Sequence, residues 1–270
     1  MSRPVGSGGF RWVSEPWGDA LVCEPLGAVA PHVFTSRQLE LRGTTDATAR
    51  EWAAIGQGLG VAGTDILRVH QVHGADVIVV RAGGGRPWPP DAPPRADILI
   101  ADDPTMALSV RAADCVPILI ADRRTGAVAA VHAGWRGTCA SAGPAAVRAL
   151  EQHFGARPTD LIAAIGPSIG PCCYEVGSKV VDAFAGAGHP RHHITRWFPT
   201  EAVRGEPRTR MPIVLDLWAA NCDQLVLAGI PEGQVHVAAL CTATHNDTFF
   251  SYRREGEAAG RMAAVIRRRA

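Results

Sequence analysis

The sequence predicts an α+β layered fold. Three observations point there. The middle of the chain is dense in short apolar runs rich in Val and Ile, with the lengths of buried strands. Helical spacing follows some of these runs but not all, so the order is mixed rather than alternating, and a doubly wound parallel sheet is the poorer expectation. The chain has 270 residues, 47% apolar and 20% charged, which is globular composition rather than that of a disordered, collagen-like or coiled-coil chain.

Ile66 to Gln71 and Asp76 to Val80 read as strands. Residues 82–94 are so rich in Gly and Pro that neither helix nor sheet can persist, and read as a surface loop. Strands resume at Asp97 to Ala101, Met106 to Val110, Val116 to Ala121 and Ala127 to His132. Gly137 to Phe154 has helical spacing, with Pro144 either in its first turns or kinking it. Leu161 to Ile165 reads as a buried strand, and residues 166–171 as a tight loop. Val176 to Phe184 and Ile213 to Leu227 read as helices, Val235 to Leu240 and Arg261 to Ile266 as strands. No internal repeat is present, and residues 1–270 read as one domain, with 1–30 as a loosely attached N-terminal extension.

Charge excludes several partners. Twenty-seven basic residues against 26 acidic ones leave +1, so no basic excess points to nucleic acid. No run of 18 apolar residues suggests a membrane span. The N-terminal stretch has no apolar core of a signal peptide. Seven cysteines without an export signal are expected to be reduced, in a cytoplasmic protein.

Three segments carry residues capable of chemistry: His70-Gln71-Val72-His73-Gly74, Ala113-Asp114-Cys115-Val116-Pro117 and Val131-His132-Ala133-Gly134-Trp135-Arg136-Gly137. If the hairpin between the last two is centred between Arg123 and Arg124, Cys115 faces His132 across the ladder, with Cβ atoms roughly 4.5–5.5 Å apart. With His73 they form a three-donor set, the pattern of a catalytic zinc with an open fourth position. The same residues also suit a Cys115 nucleophile with His132 as base and Asp114 or Gln71 as orienter, or a small buried thiol among satisfied core histidines. No Cys-x-x-Cys or His-Glu-x-x-His spacing decides among these. Asp114 alternates with Cys115 and would face away from it on a strand.

The Gly166–Pro171 loop offers backbone N–H groups to an anion, less two removed by proline. Cys172 and Cys173 read as reduced structural thiols, and His189, His192 and His193 as a solvated loop cluster. The segment Phe249–Arg254 suits either base stacking with phosphate grip or an edge strand.

Taken with Gly166-Pro167-Ser168-Ile169-Gly170, Tyr174-Glu175-Val176 and Phe249-Phe250-Ser251-Tyr252-Arg253-Arg254, these segments resemble the YfiH/YlmD family, from about Thr35 to near the C-terminus. The family was once labelled laccase-like and is now described as purine nucleoside phosphorylases. The resemblance implies a single α/β/β/α domain with mixed sheets. It implies zinc, with copper the lesser alternative, on His73, Cys115 and His132, which would also be the catalytic residues. Implied activities are phosphorolysis of adenosine, inosine and methylthioadenosine, and deamination of adenosine; editing of peptidoglycan precursors is attached to some members. Small-molecule nucleoside and phosphate are the expected partners, with Arg37, Arg136, Tyr174 and Arg253 as candidate binding residues. One departure concerns the family's Thr-Arg-x-Gly-Gly-Val-Ser stretch. Here residues 35–43 read Thr-Ser-Arg-Gln-Leu-Glu-Leu-Arg-Gly, which keeps Arg37 and loses the Gly-Gly turn. Ten scattered histidines are too few and too dispersed for the copper clusters of a true laccase. A cysteine hydrolase or amidase acting on cell-wall precursors, and a zinc-stabilised interaction protein, are the competing expectations.

Overall fold

The computed structural model describes residues 3–199 and 212–270. Two six-stranded sheets stack face to face. The first runs, in spatial order, β1 (Phe10–Glu15), β2 (Gly18–Cys23), β3 (His32–Thr35), β14 (Met262–Arg267), β7 (Ala107–Ala112) and β4 (Ile66–Leu67). The second runs β13 (Val235–Val237), β10 (Leu161–Ile165), β8 (Val116–Asp122), β9 (Val128–Ala133), β6 (Ile98–Ala101) and β5 (Val77–Val80). Both sheets are mixed: β4 pairs parallel with β7, and β5 parallel with β6, among antiparallel neighbours. A two-stranded ribbon of β11 (Glu175–Val176) and β12 (Ile213–Val214) stands apart.

Side-chain alternation builds four layers. Leu119, Ala121, Val128 and Ala130 of the second sheet meet Leu108, Val110, Ala264 and Ile266 of the first in a core between the sheets. The alternate residues Ile118, Ile120, Ala129 and Val131 face outward onto α4 (Ala142–Phe154) and α7 (Leu217–Leu227). On the other side Ala107, Ala263 and Val265 pack on Trp52, Ile55 and Leu59 of α2 (Asp46–Leu59). The order is therefore α/β/β/α. It explains why all seven residues of β8 are buried: each of its faces meets a layer. Short helices α1 (Glu24–Gly27), α3 (Trp135–Cys139), α5 (Ser178–Gly186), α6 (Arg191–Trp197) and α8 (Tyr252–Glu255) complete the chain.

Several expectations are corrected in detail. Residues 10–23, within the expected loose extension, form two strands of the first sheet, with Phe10, Leu21 and Cys23 buried. The helix expected over 137–154 is two helices, broken where Ser141 takes the left-handed conformation at φ 59°. Pro144 lies in the first turn of α4, where its missing N–H leaves no helix bond unmade. The helix expected from Ile213 begins at Leu217, because the Asp216 side chain accepts the Ala219 N–H at 3.0 Å and caps it. Residues 249–254 are not an edge strand but lead into α8. The His189–His193 cluster is not simply solvated: His189 Nε2 lies 2.8 Å from the Cys139 carbonyl, and His193 stacks on buried Trp197 and pairs with Asp223. Among the described residues, no helix is long and apolar enough to cross a membrane.

Candidate active site

The β8–β9 hairpin carries two of the three donors, in a register one turn residue removed from that expected. Pro117, not Cys115, stands opposite His132. The cause is Asp122. Its carboxylate accepts the Arg124 N–H at 2.9 Å and the Thr125 hydroxyl at 2.6 Å, and its carbonyl accepts the Gly126 N–H, which centres the turn between Arg124 and Thr125. Cys115 thus lies just beyond the ladder, diagonal to His132 on the same face. The donor atoms of His73, Cys115 and His132 nonetheless lie within 4.8 Å of one another, and the two imidazoles cross edge to face with centroids 4.9 Å apart.

Asp97, at the entry to β6, organises the set. Its fully buried carboxylate accepts backbone N–H groups from Val72, His73 and Gly74 at 3.1, 2.9 and 2.7 Å. Those bonds fold residues 72–74 around it and hold His73 left-handed at φ 63°. Asp97 Oδ1 also sits 2.8 Å from His132 Nδ1. That bond fixes the ring of His132 with Nε2 on the side of Cys115. The sequence marks Asp97 only as the first residue of a strand, a lone acid before the apolar run Ile98–Ala101.

Close approach fixes Cys115. A Cβ on Gly134 would lie 2.6 Å from Cys115 Sγ and 3.3 Å from His73 Cδ2, so only glycine leaves the donors room. Asp114, left-handed at φ 88°, accepts the Thr242 hydroxyl at 2.5 Å and the Arg253 N–H at 2.6 Å. It is thereby occupied, and it turns Cys115 inward. Gln71 is occupied too, exchanging hydrogen bonds with the Arg111 backbone at 2.7 and 2.8 Å. Neither serves as orienter of His132.

The electrostatics favour a thiolate. Burial opposes ionisation of Cys115, but the charge of His132 and hydrogen bonds to both imidazoles outweigh it, and the thiol is pulled well below its usual value. Burial likewise opposes charge on His132, yet Cys115 and Asp97 together raise it. A deprotonated sulfur with two oriented imidazoles is the donor set that zinc requires, so these residues fit a metal ion.

The donors open into a cleft of about 1030 Å³. Six arginines line it: Arg42, Arg68, Arg111, Arg136, Arg253 and Arg261. Arg68 and Arg111 are lowered by burial, and then by like-charged neighbours, Arg111 beside Arg68 and Arg261 beside Arg111. Among the described residues none of Arg68, Arg111 and Arg261 forms an ion pair with a carboxylate. Guanidinium groups gathered in one cleft without an ion-paired carboxylate are suited to an anion. The 82–94 loop contributes to the rim through Pro90, Asp91 and Pro93, and is tethered by Trp88 Nε1 donating to the Arg68 carbonyl at 3.1 Å.

Of the four candidate binding residues, three line this cleft. Arg136 is exposed over the Trp135 ring at 4.5 Å, and Arg253 lies over the Tyr174 ring at 5.3 Å. Burial pushes the Tyr174 phenol up, so it remains protonated. Arg37 does not line the cleft. It donates to Glu255 at 2.8 Å and to the Asn246 carbonyl, and covers the Phe250 ring at 4.7 Å, bracing the segment that carries Arg253. Arg68, Arg111 and Arg261 were missed because they sit on different strands and loops and meet only in the fold.

Fold and site together define a layered α/β/β/α protein with a three-donor Cys–His₂ site under a cationic cleft. The chain belongs to the family described as multi-copper polyphenol oxidoreductase laccase, which matches residues 24–269 and includes the YfiH and YlmD proteins. A purine nucleoside phosphorylase from Deinococcus radiodurans is 36% identical over 251 residues, covering 87% of this chain and 88% of the relative. One from Bacteroides thetaiotaomicron is 41% identical over 170 residues; the match takes in 63% of this chain but only 60% of that relative. An adenosine deaminase from an unknown prokaryotic organism is 37% identical over 173 residues, 64% of this chain and 62% of its own. The crystal structure of YlmD from Geobacillus stearothermophilus superposes with a TM-score of 0.80 at 30% identity, covering 96% of this chain and 99% of that one.

Proposed function

We propose that this chain is a zinc-dependent purine nucleoside phosphorylase, with adenosine deamination as a side activity of the same site. The observation that carries the reading is the Asp97-organised His73, Cys115, His132 set in a cleft whose Arg68, Arg111 and Arg261 form no ion pair among the described residues. Homologues named purine nucleoside phosphorylase and adenosine deaminase support it.

The cleft has the volume of a small-molecule site. Arg68, Arg111 and Arg261 hold phosphate through planar donor forks. Tyr174 and Arg253 form a flat, partly cationic wall suited to the purine face. In phosphorolysis a phosphate oxygen bonds to C1′ of the sugar as the bond from C1′ to the base breaks. The arginines keep the phosphate near its target, so orientation is supplied before reaction. Zinc held by His73, Cys115 and His132 would supply Lewis acidity beside the nucleoside. Asp97 holds His132 in one tautomer, and Arg37 is a positioning residue for the Arg253 segment.

The test is phosphate-dependent release of base from adenosine, inosine and methylthioadenosine, with metal analysis. Cys115→Ala should lose metal and both activities while its circular dichroism is retained. An active, metal-free Cys115→Ala protein refutes the reading. His132→Ala should abolish phosphorolysis and deamination together; loss of one alone separates the sites. A second reading has its own observation: Cys115, His132 and Asp97 stand in the order nucleophile, base, orienter. Full activity of metal-free protein on an amide substrate would favour that cysteine hydrolase.

A further inference from the structure

A second cluster of sulfur lies outside the His73 site. The turn from Gly170 to Tyr174, closed by the Cys173 and Tyr174 N–H groups donating to the Gly170 carbonyl at 3.0 and 3.1 Å, lays Cys172 and Cys173 over Cys241. Cys241 is anchored from a different segment by an isolated bridge to Ser168. The three sulfurs lie within 4.8 Å of one another, and Cys172 Sγ and Cys173 Sγ are 3.6 Å apart. Thr244 Oγ1 stands 3.4 Å from each of those two, and Cys241 Sγ accepts the Gly170 N–H at 3.3 Å. Cys172 is exposed, Cys173 half-buried and Cys241 buried, so the cluster has a solvent mouth and a fixed floor.

Three sulfurs each about 2.3 Å from one tetrahedral ion stand about 3.8 Å apart. The 3.6 Å between Cys172 Sγ and Cys173 Sγ is close to that value, and Cys241 Sγ lies within 4.8 Å of both, so the three sulfurs are near enough to share one ion. A disulfide between the neighbours is disfavoured, because consecutive Cα atoms are about 3.8 Å apart and disulfides span about 4.4–6.8 Å. The donors are all sulfur, a set that selects soft d¹⁰ cations over magnesium, calcium or manganese. The backbone N–H of Gly170 compensates negative charge on the innermost sulfur.

We propose that Cys172, Cys173 and Cys241 form a second metal site that takes a soft d¹⁰ cation, zinc or monovalent copper, on three thiolates. It is independent of the phosphorylase reading. The reduced, metal-stripped full-length chain is titrated with cadmium as probe, reading thiolate-to-metal charge-transfer absorption and bound metal per chain; zinc and monovalent copper are then competed against it to decide which is preferred. Wild type should bind two equivalents. Cys172→Ser should bind one and keep its phosphate-dependent activity on nucleosides at the wild-type rate if it has any. Cys115→Ser should also bind one, with the charge-transfer band of the three-thiolate site intact. Cys172 is exposed, so its variant stays informative even if Cys241→Ser does not fold. A single equivalent in wild type that Cys172→Ser leaves unchanged overturns the proposal. So does a native mass lower by two hydrogens that maps to a Cys241 disulfide, which would make the cluster a redox pair.

Discussion

At the scale of single residues, the site depends on groups that are not donors. Asp97 contributes no ligand atom, yet its carboxylate ties the 72–74 turn and His132 into one unit. Asp97→Asn replaces an acceptor-only group by one that must offer an amide N–H to some of those donors. Supporting partners of this kind typically contribute roughly 10- to 100-fold to metal affinity, and a loss of that size is expected in zinc competition with a chelator. Gly134→Ala should act more sharply, because its Cβ would occupy space 2.6 Å from Cys115 Sγ. Substoichiometric metal in a folded protein is the expected outcome; full occupancy would show that Cys115 can retreat. The donors His73, Cys115 and His132 were legible from the sequence as residue types near strand ends. Asp97 and Gly134 are not legible as functional in the sequence, since their roles rest on a carboxylate reaching back across 23 to 25 residues and on close approach between segments distant in the chain.

At the scale of elements, the β8–β9 hairpin shows how a local device decides a long-range placement. The two apolar runs fixed which strands pair but not the turn, and Asp122 moved its centre by one residue. A shift by one at the turn changes partner sums by two, so Cys115 and His132 kept the same face and the site survived the revision. Periodicity likewise located the helical mass after β9 but not the break at Ser141, which reflects tertiary demand: α3 and α4 must each dock against α7. At α7 the sequence carries the start signal, Asp216, that apolar spacing alone runs past. Its side chain accepts the Ala219 N–H at 3.0 Å. Asp216→Ala should therefore lower the unfolding free energy by about 1 kcal/mol, read from urea denaturation. No change would mean that packing of the buried face holds the helix start without the cap.

At the scale of the whole molecule, stacking two sheets between helix layers buries polar groups that the fold must then satisfy, and His32 is the clearest case. It sits on β3, 4% exposed, with Nε2 accepting the Cys23 N–H at 2.9 Å and Nδ1 lying 3.0 Å from the Ala30 carbonyl. Only the neutral ring with its proton on Nδ1 satisfies both partners; a second proton would set N–H against N–H in a buried place. Desolvation dominates and pushes the imidazole down from 6.5 to about 4, with the Ala30 carbonyl opposing it. The unfolded chain then binds more protons than the folded one, so this contribution is intact above pH 6.5 and is lost as pH falls toward 4. At pH 5 the loss is about 2 kcal/mol, a sizeable share of the stability of a domain. His32→Leu should start less stable at pH 7, because the Cys23 N–H and Ala30 carbonyl lose their partner, by roughly 1–3 kcal/mol. Its stability should then fall less between pH 7 and pH 5 than the wild type's, by about 2 kcal/mol. Urea unfolding of both proteins at the two pH values measures the difference directly, and parallel losses would remove His32 as the source of acid sensitivity.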